Sequence, residues 1–114
     1  MDAGGVVLVA EVHGQVARMP ELRQLVTDLA ASARHDPGCR SYHAAFLAEP
    51  GECLLVSSWS SEAALRDHYA TEAYARYRQE VGPLLTRPSD VVVHHVSATV
   101  HARDPNPPDP GLLG

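Results

Sequence analysis

Lysine and isoleucine are absent from this 114-residue sequence, and cysteine, tryptophan and phenylalanine are rare. The two cysteines, Cys39 and Cys53, are too few for the disulfide framework of a small secreted domain. Four ligands at the spacing of a zinc site are missing, so the sequence predicts no metal site. The nine basic residues are all arginines, scattered along the chain, against 14 acidic residues. An acidic chain without a basic cluster argues against nucleic acid or an anionic membrane as the partner.

Long hydrophobic runs are also absent. No stretch approaches the roughly 18–20 apolar residues that span a bilayer, and the N-terminus lacks the basic start of a signal peptide. We therefore expect a cytoplasmic protein with no membrane partner. The chain length and its 45% hydrophobic content predict one small globular domain, whose thin core would gain from dimerisation.

The first half of the chain predicts a strand, a helix and a hairpin. Residues 6–13 are valine-rich and apolar on both faces, which predicts a strand buried on both sides. Apolar residues recur at helical spacing over residues 19–35, which predicts an amphipathic helix. Residues 40–47 and 53–59 predict two strands joined through Pro50-Gly51 as a β-hairpin.

The second half predicts a broken helix and a last strand. Ser60 or Ser61 is the expected N-cap of a helix that breaks near Ala70. Thr71 is the expected N-cap of the helical segment that follows. Residues 91–100 are rich in valine and predict the last strand.

The element order β-α-β-β-α-β predicts an α+β fold, a ferredoxin-like antiparallel sheet with both helices on one face. The other face needs a cover, and strands that are apolar on both sides indicate that a partner's sheet provides it. We therefore expect a homodimer with two sheets face to face. Residues 1–103 form the expected domain, and the proline-rich residues 104–114 an expected disordered tail.

Three stretches share their order and spacing with a known pattern. Residues 36–42 are DPGCRSY, residues 55–68 are LVSSWSSEAALRDH, and residues 71–74 are TEAY. They resemble, in turn, the E-P-G-C-x-x-Y turn, the W/Y-x-s-x-e-A-L-x-x-H strand and helix, and the s-x-x-Y/F helix start of the antibiotic biosynthesis monooxygenase family. The resemblance runs in register from about Val6 to Val100.

This resemblance implies a dimeric α+β barrel with a pocket between the sheet and the helices of each subunit. Family activities include cofactor-independent oxygenation of anthrones and quinols, haem breakdown, and isomerisation of small signal molecules. Haem-degrading members carry a tryptophan at the position that matches His68 and the axial haem histidine at the position that matches Arg78. Haem is therefore not the expected ligand here. Anthrone-oxidising members carry a tyrosine at the position that matches Leu65 and an asparagine at the position that matches Leu55. Both residues are apolar here, so the hydrogen bonds that those two side chains would offer an anthrone are lost.

His68 is the best candidate for a catalytic base, because an ordinary histidine pKa of about 6.5 suits proton transfer near neutral pH. It shares a helix face with Leu65 and is expected to point inward. The alternative is a semi-buried histidine that ties the helix to the sheet. Trp59 is expected either as a pocket wall that stacks on a flat substrate or as a core tryptophan.

The register of the hairpin decides whether Tyr42 or His43 faces the pocket. A loop of even length, such as a two-residue Pro50-Gly51 turn, sets Tyr42 opposite Trp59. A loop of odd length sets His43 on the Trp59 face. We favour Tyr42, which would then take a catalytic role.

Four further polar side chains have open roles. Tyr74 is expected to donate its hydroxyl to a substrate oxygen or to pack its ring on the sheet. Arg78 is expected to hold an acidic substrate or to be solvated. Glu11 and His13 share one strand face, which permits a proton relay between them. The commoner outcome is a buried histidine whose ring nitrogens have hydrogen-bond partners.

Together, the residues and the resemblance predict a cofactor-independent monooxygenase. It would deprotonate a small aromatic, polyketide-like substrate such as an anthrone, quinol or phenol, whose anion then reacts with O₂. No cofactor or metal is expected. The alternatives are a cyclase or isomerase with the same pocket, or a non-catalytic ligand-binding barrel. The expected catalytic residues are His68 and Tyr42, and the expected substrate contacts are Trp59, Tyr74, His43 and Arg78.

Overall fold

A computed structural model describes residues 4–101. In chain order its elements are β1 (Val6–His13), α1 (Met19–Ala33), β2 (Cys39–Phe46), β3 (Glu52–Trp59), α2 (Glu62–Tyr69), α3 (Glu72–Val81) and β4 (Asp90–His95). Short 3-10 turns, Val16–Arg18 and Gly82–Leu84, precede α1 and follow α3. This order confirms the predicted α+β arrangement. Within the described range, no helix is long and apolar enough to cross a membrane.

The break in the second helical region is capped as predicted. The Ser61 hydroxyl accepts a hydrogen bond from the Ala64 amide, and the Thr71 hydroxyl accepts one from the Tyr74 amide. Each cap satisfies one of the amides that a helix N-terminus leaves free. The two short helices therefore begin at defined residues. The last turn of α2 carries His68, whose ring packs against Trp59 of β3.

The last strand is shorter than the predicted range 91–100. It ends at His95, because His95 already pairs with Val6, the first residue of β1. Beyond that point β1 offers no further strand residue as a partner. The end of the predicted domain and the predicted tail, residues 104–114, lie outside the described residues.

The sheet has the order β2-β3-β1-β4, and all neighbouring strands are antiparallel. Because strand side chains alternate between the two faces, every second residue of β1 and β3 points toward the helices and is buried. Helix α1 packs its apolar face on the same layer. The resulting core contains Val6, Leu8, Ala10, Val12, Leu22, Val26, Leu29, Ala30, Ala33, Cys53, Leu55 and Trp59.

The hairpin confirms the face of Tyr42 and corrects its partner. The Leu47 amide donates to the Glu52 carbonyl, which closes a four-residue loop over residues 48–51 instead of a two-residue turn. Tyr42 consequently lies opposite Ser57, two residues away from the predicted position opposite Trp59. Both loops are even in length, so Tyr42 keeps its predicted face.

The sheet face away from the helices is uncovered in the single chain. At its centre Val9 lies between Val56 of β3 and Val92 of β4. Val92 is 52% exposed, and all six residues of the edge strand β4 are exposed. An apolar face of this kind is compatible with the predicted sheet-to-sheet dimer, which stays a prediction.

One end of this open face carries an ionic cluster centred on His13. The buried imidazole places Nδ1 2.6 Å from a Glu52 carboxylate oxygen and Nε2 2.9 Å from an Asp90 carboxylate oxygen. Arg87 approaches Nδ1 at 3.4 Å, and the Glu11 carboxylate lies close by. Both ring nitrogens are thus occupied by carboxylates, so His13 ties β1 to β3 and to β4. Of the two predicted alternatives, His13 therefore matches the buried histidine whose ring nitrogens have hydrogen-bond partners.

We expect the His13 cluster to make stability depend on pH. The hydrogen bond with Asp90, aided by Glu52, raises the pKa of His13 above its ordinary value, against the opposing effects of burial and Arg87. Stability from such a group is complete below the unfolded pKa of about 6.5 and is lost as the pH rises through the folded pKa. The free energy of urea unfolding should therefore fall between about pH 6 and pH 9 more steeply in the wild type than in His13→Gln.

The exposed His35, in the turn after α1, provides the matched control for this measurement. His35→Gln should keep the slope of the wild type, because its side chain lies outside the ionic cluster. Equal slopes for the wild type and His13→Gln would contradict the stabilising role of the cluster.

Candidate active site

A cavity of about 240 Å³ lies between the helix side of the sheet and helices α2 and α3. Its apolar lining consists of Leu8, Ala10, Val12, Leu55, Leu65, Val81, Leu85 and Val91. Its polar lining consists of Tyr42, Ser57, His68, Tyr69, Tyr74, Tyr77, Arg78 and Ser89. An apolar hollow with a few converging polar groups is the usual form of a small-molecule site.

His68 enters the cavity from the last turn of α2 and is 3% exposed. Its Nδ1 lies 2.7 Å from a carboxylate oxygen of Asp36. This contact orients the ring and places the Nδ1 proton toward the carboxylate, which leaves the lone pair on Nε2. His68 therefore combines both predicted alternatives, because it lines the cavity and also ties α2 to the rest of the fold.

The turn after α1 holds Asp36 at this distance. The Asp36 amide donates to the Ala33 carbonyl, and the Asp36 carbonyl accepts from the Cys39 amide, so the backbone is fixed on both sides. Gly38 follows with a φ of +82°, and a Cβ there would lie 2.5 Å from the Cβ of Ala64. Glycine therefore permits the turn to pack against the first residues of α2.

All four tyrosines of the chain line the cavity. Burial raises the pKa of Tyr69 to about 12 and also raises the pKa of Tyr42, Tyr74 and Tyr77. Their hydroxyl groups stay protonated near neutral pH, so they act as hydrogen-bonding groups and not as bases. Tyr42 is thus suited to donate a hydrogen bond to a substrate oxygen beside His68, whose ring centroid lies 5.9 Å from its own.

Trp59 and His43, which the sequence analysis also names as expected substrate contacts, lie outside the cavity lining. Trp59 is fully buried behind His68, with 4.7 Å between the ring centroids. Its indole Nε1 donates to the Ser57 hydroxyl oxygen at 3.0 Å. It is therefore the core tryptophan of the two predicted alternatives. His43 is exposed on the opposite face of the sheet, because the even loop turns Tyr42 inward.

Tyr74 and Arg78 border the cavity from α3. The ring centroid of Tyr74 lies 5.3 Å from that of His68 and 4.7 Å from that of Tyr69. Arg78 is exposed at the rim. Its positive charge partly opposes the effect of burial on the pKa of Tyr74. Tyr74 consequently both packs against neighbouring rings and faces the cavity.

The sequence patterns predict no site role for Asp36 or Ser57. Asp36 lies 32 residues before His68, and as part of Asp-Pro-Gly it indicates only the end of a helix. Ser57 was accessible to prediction, because the alternation that turns Tyr42 inward also turns its neighbour Ser57 inward. Tyr77, to which the sequence analysis gives no role, is a buried part of the cavity wall.

Comparisons with known proteins agree with this fold. The family model described as "Antibiotic biosynthesis monooxygenase" matches residues 5–80. Among curated proteins, "Putative monooxygenase Rv0793" of Mycobacterium tuberculosis is 40% identical over 72 residues, which are 63% of this chain and 71% of that protein.

Solved structures show the same similarity in three dimensions. The structure of Rv0793 matches with a TM-score of 0.77 at 32% identity, covering 87% of this chain and 99% of that chain. Protein SO0527 of Shewanella oneidensis matches with a TM-score of 0.75 at 25% identity, covering 86% of this chain and 96% of that chain. Each of these two matches therefore covers more than four-fifths of this chain.

We expect the four tyrosines to resist ionisation in the folded protein. With an ordinary pKa of about 10, tyrosines in an unfolded chain are about 90% ionised at pH 11. In the folded chain the near-ultraviolet tyrosinate absorbance at that pH should stay below half of this value, because burial raises the pKa of all four. Titration with and without urea measures the difference. Full ionisation before unfolding would contradict the buried hydroxyl groups.

Proposed function

This chain belongs to the antibiotic biosynthesis monooxygenase family, and we propose that it oxygenates a small aromatic compound that carries an oxygen substituent. The observation that carries the proposal is His68 in the wall of a largely apolar cavity, with its Nδ1 hydrogen-bonded to Asp36. In the proposed reaction His68 is the base, and Asp36 is the residue that positions it. Tyr42 donates a hydrogen bond, and the substrate anion reacts directly with O₂.

The first proposed step is the transfer of a substrate proton to Nε2 of His68. Asp36 accepts the hydrogen bond from Nδ1, so its carboxylate stabilises the imidazolium that forms. Electrostatic interactions of this kind are stronger in a buried apolar site than in water. A positioned base typically contributes about 10²–10⁴-fold to the rate.

The substrate anion then supplies every electron that O₂ requires. It passes one electron to O₂, and the two radicals combine to form a C–O bond and a peroxide. His68 returns its proton to the outer oxygen of the peroxide. The same carbon then loses its hydrogen as a proton, the C–H electron pair forms the carbonyl group, and the O–O bond breaks. The departing hydroxide takes up that proton and leaves as water. One oxygen atom thus enters the product, and the oxidised carbon provides the balancing electrons.

The size and the rim of the cavity favour a substrate of one or two fused rings. Since a cavity of roughly 150 Å³ holds benzene, the 240 Å³ available here suit a bicyclic phenol or hydroquinone. The rings of Tyr69, Tyr74 and Tyr77 offer aromatic surfaces to a flat molecule. The positive charge of Arg78 at the rim favours substrates with acidic groups.

A homodimer is the proposed working form of the protein. The open face of the sheet presents Val9, Val56 and Val92 side by side, and their burial against a second sheet would remove apolar surface from water. The cavity lies on the other side of the sheet, so each subunit would keep a complete site of its own.

His68→Ala should lower kcat/KM for oxygen consumption with 1-naphthol by about 10²–10⁴-fold, because the base is removed. Asp36→Asn should have a smaller effect, mainly on kcat, since Nδ1 keeps a neighbouring oxygen but loses the charge that stabilises the imidazolium. An oxygen electrode and a panel of naphthols and hydroquinones provide the measurement.

His35→Ala is the matched control for these variants, because the His35 side chain is exposed in the turn after α1, outside both the cavity lining and the open sheet face. Its activity should remain within about twofold of the wild type. Unchanged oxygen consumption in His68→Ala would refute the proposed base. Rearrangement of the substrates without oxygen consumption would instead identify an isomerase or cyclase in the same pocket.

Light scattering should give the mass of two chains at micromolar concentration. Val9→Asp places a charge at the centre of the proposed interface and should yield a monomer. Val16→Asp places the same charge on a valine that is 62% exposed outside the sheet, and should remain a dimer. A monomeric wild type would contradict the proposed assembly.

A further inference from the structure

Ser57 is a buried polar residue in the wall of the cavity. It lies on β3 between Leu8 of β1 and Tyr42 of β2, and it is 1% exposed. A hydroxyl group buried in an apolar layer is unfavourable unless hydrogen bonds satisfy it. Its neighbour on the same strand face, Leu55, is apolar and offers no hydrogen bond. Ser57 is therefore the polar group that β3 contributes to the cavity.

The contact with Trp59 satisfies only one side of this hydroxyl. The indole Nε1 of Trp59 lies 3.0 Å from the Ser57 oxygen. An indole N–H can only donate, so the serine oxygen is the acceptor and its own proton remains available. Within residues 4–101, the structure gives that proton no acceptor. Because Ser57 lines the cavity, a ligand there is the acceptor within its reach.

We propose that Ser57 donates a hydrogen bond to the oxygen atom of the bound aromatic substrate, and that Trp59 holds Ser57 in the orientation this requires. The inference rests on the proposed function for the chemical class of the ligand. Ser57 is then a catalytic residue in contact with substrate, and Trp59 is a positioning residue. Trp59 thus acts on the substrate through Ser57, although its ring lies outside the cavity lining.

The surroundings of Ser57 place this donor beside the proposed base. Tyr42 is its cross-strand neighbour, and the rings of Tyr42 and Trp59 both lie against His68, with centroid distances of 5.9 and 4.7 Å. Removal of a proton by His68 leaves negative charge on the substrate oxygen. A hydrogen bond to that oxygen is stronger for the anion than for the neutral substrate, so it favours the deprotonated state.

The test compares the binding of 1-naphthol with that of naphthalene, which has the same rings and no oxygen. Affinities are measured without O₂, so no turnover takes place. Ser57→Ala should lose about tenfold in affinity for 1-naphthol and keep its affinity for naphthalene. Ser58→Ala, one residue along on the opposite sheet face, should match the wild type for both. Trp59→Phe should lose part of the preference for 1-naphthol, because the indole N–H is removed and most of the ring is retained.

Each alternative result has a distinct meaning. A wild type without preference for 1-naphthol, or a Ser57→Ala variant that keeps the preference, would overturn the proposal. Parallel losses for both ligands in Ser57→Ala would also overturn it, because Ser57 would then shape the cavity without donating. An unchanged preference in Trp59→Phe would refute the positioning role. If the preference for 1-naphthol depends on Ser57 but the enzyme consumes no oxygen with any compound of the panel, the hydrogen bond from Ser57 is supported and the proposed monooxygenase activity is refuted.

Discussion

The hydrogen bond between the Asp36 carboxylate and the His68 imidazole is the contact on which the site depends. It joins the turn after α1 to the last turn of α2. The turn reaches α2 because Gly38 has no side chain to collide with Ala64. A buried ring nitrogen without a partner would destabilise the fold by about 1–3 kcal/mol. The same contact therefore supports the packing of α2 and sets the orientation of the proposed base.

Around this pair, the cavity combines an apolar lining with a few hydroxyl groups. Burial raises the pKa of Tyr42 and Tyr77, so their hydroxyl groups remain neutral near physiological pH. Ser57 adds a hydroxyl whose oxygen already accepts from Trp59. A substrate anion in such a site would be surrounded by neutral hydroxyl groups that can donate hydrogen bonds to it. The roles divide accordingly, with proton removal proposed for His68 and stabilisation of the anion for the hydroxyl groups.

Local patterns predicted most of the fold. Valine-rich strands, the Ser61 and Thr71 caps and the element order all follow from short stretches of sequence, and the family resemblance agrees with them. The register of the hairpin was less accessible, because an even loop of two residues and one of four residues leave Tyr42 on the same face. The sequence also left open whether Trp59 lines the pocket. That outcome depends on how deeply α2 packs, and no local pattern encodes that depth.

The pairing of Asp36 with His68 was not predictable from spacing, since it forms only when the turn and α2 pack together. If the His68–Asp36 pair activates a small aromatic substrate for reaction with O₂, the added oxygen atom comes from O₂. Mass spectrometry of the product formed from 1-naphthol under ¹⁸O₂ should therefore detect one ¹⁸O atom per product molecule with the wild type and almost no labelled product with His68→Ala. A product formed without ¹⁸O, or equal labelling with both proteins, would exclude this role of the pair.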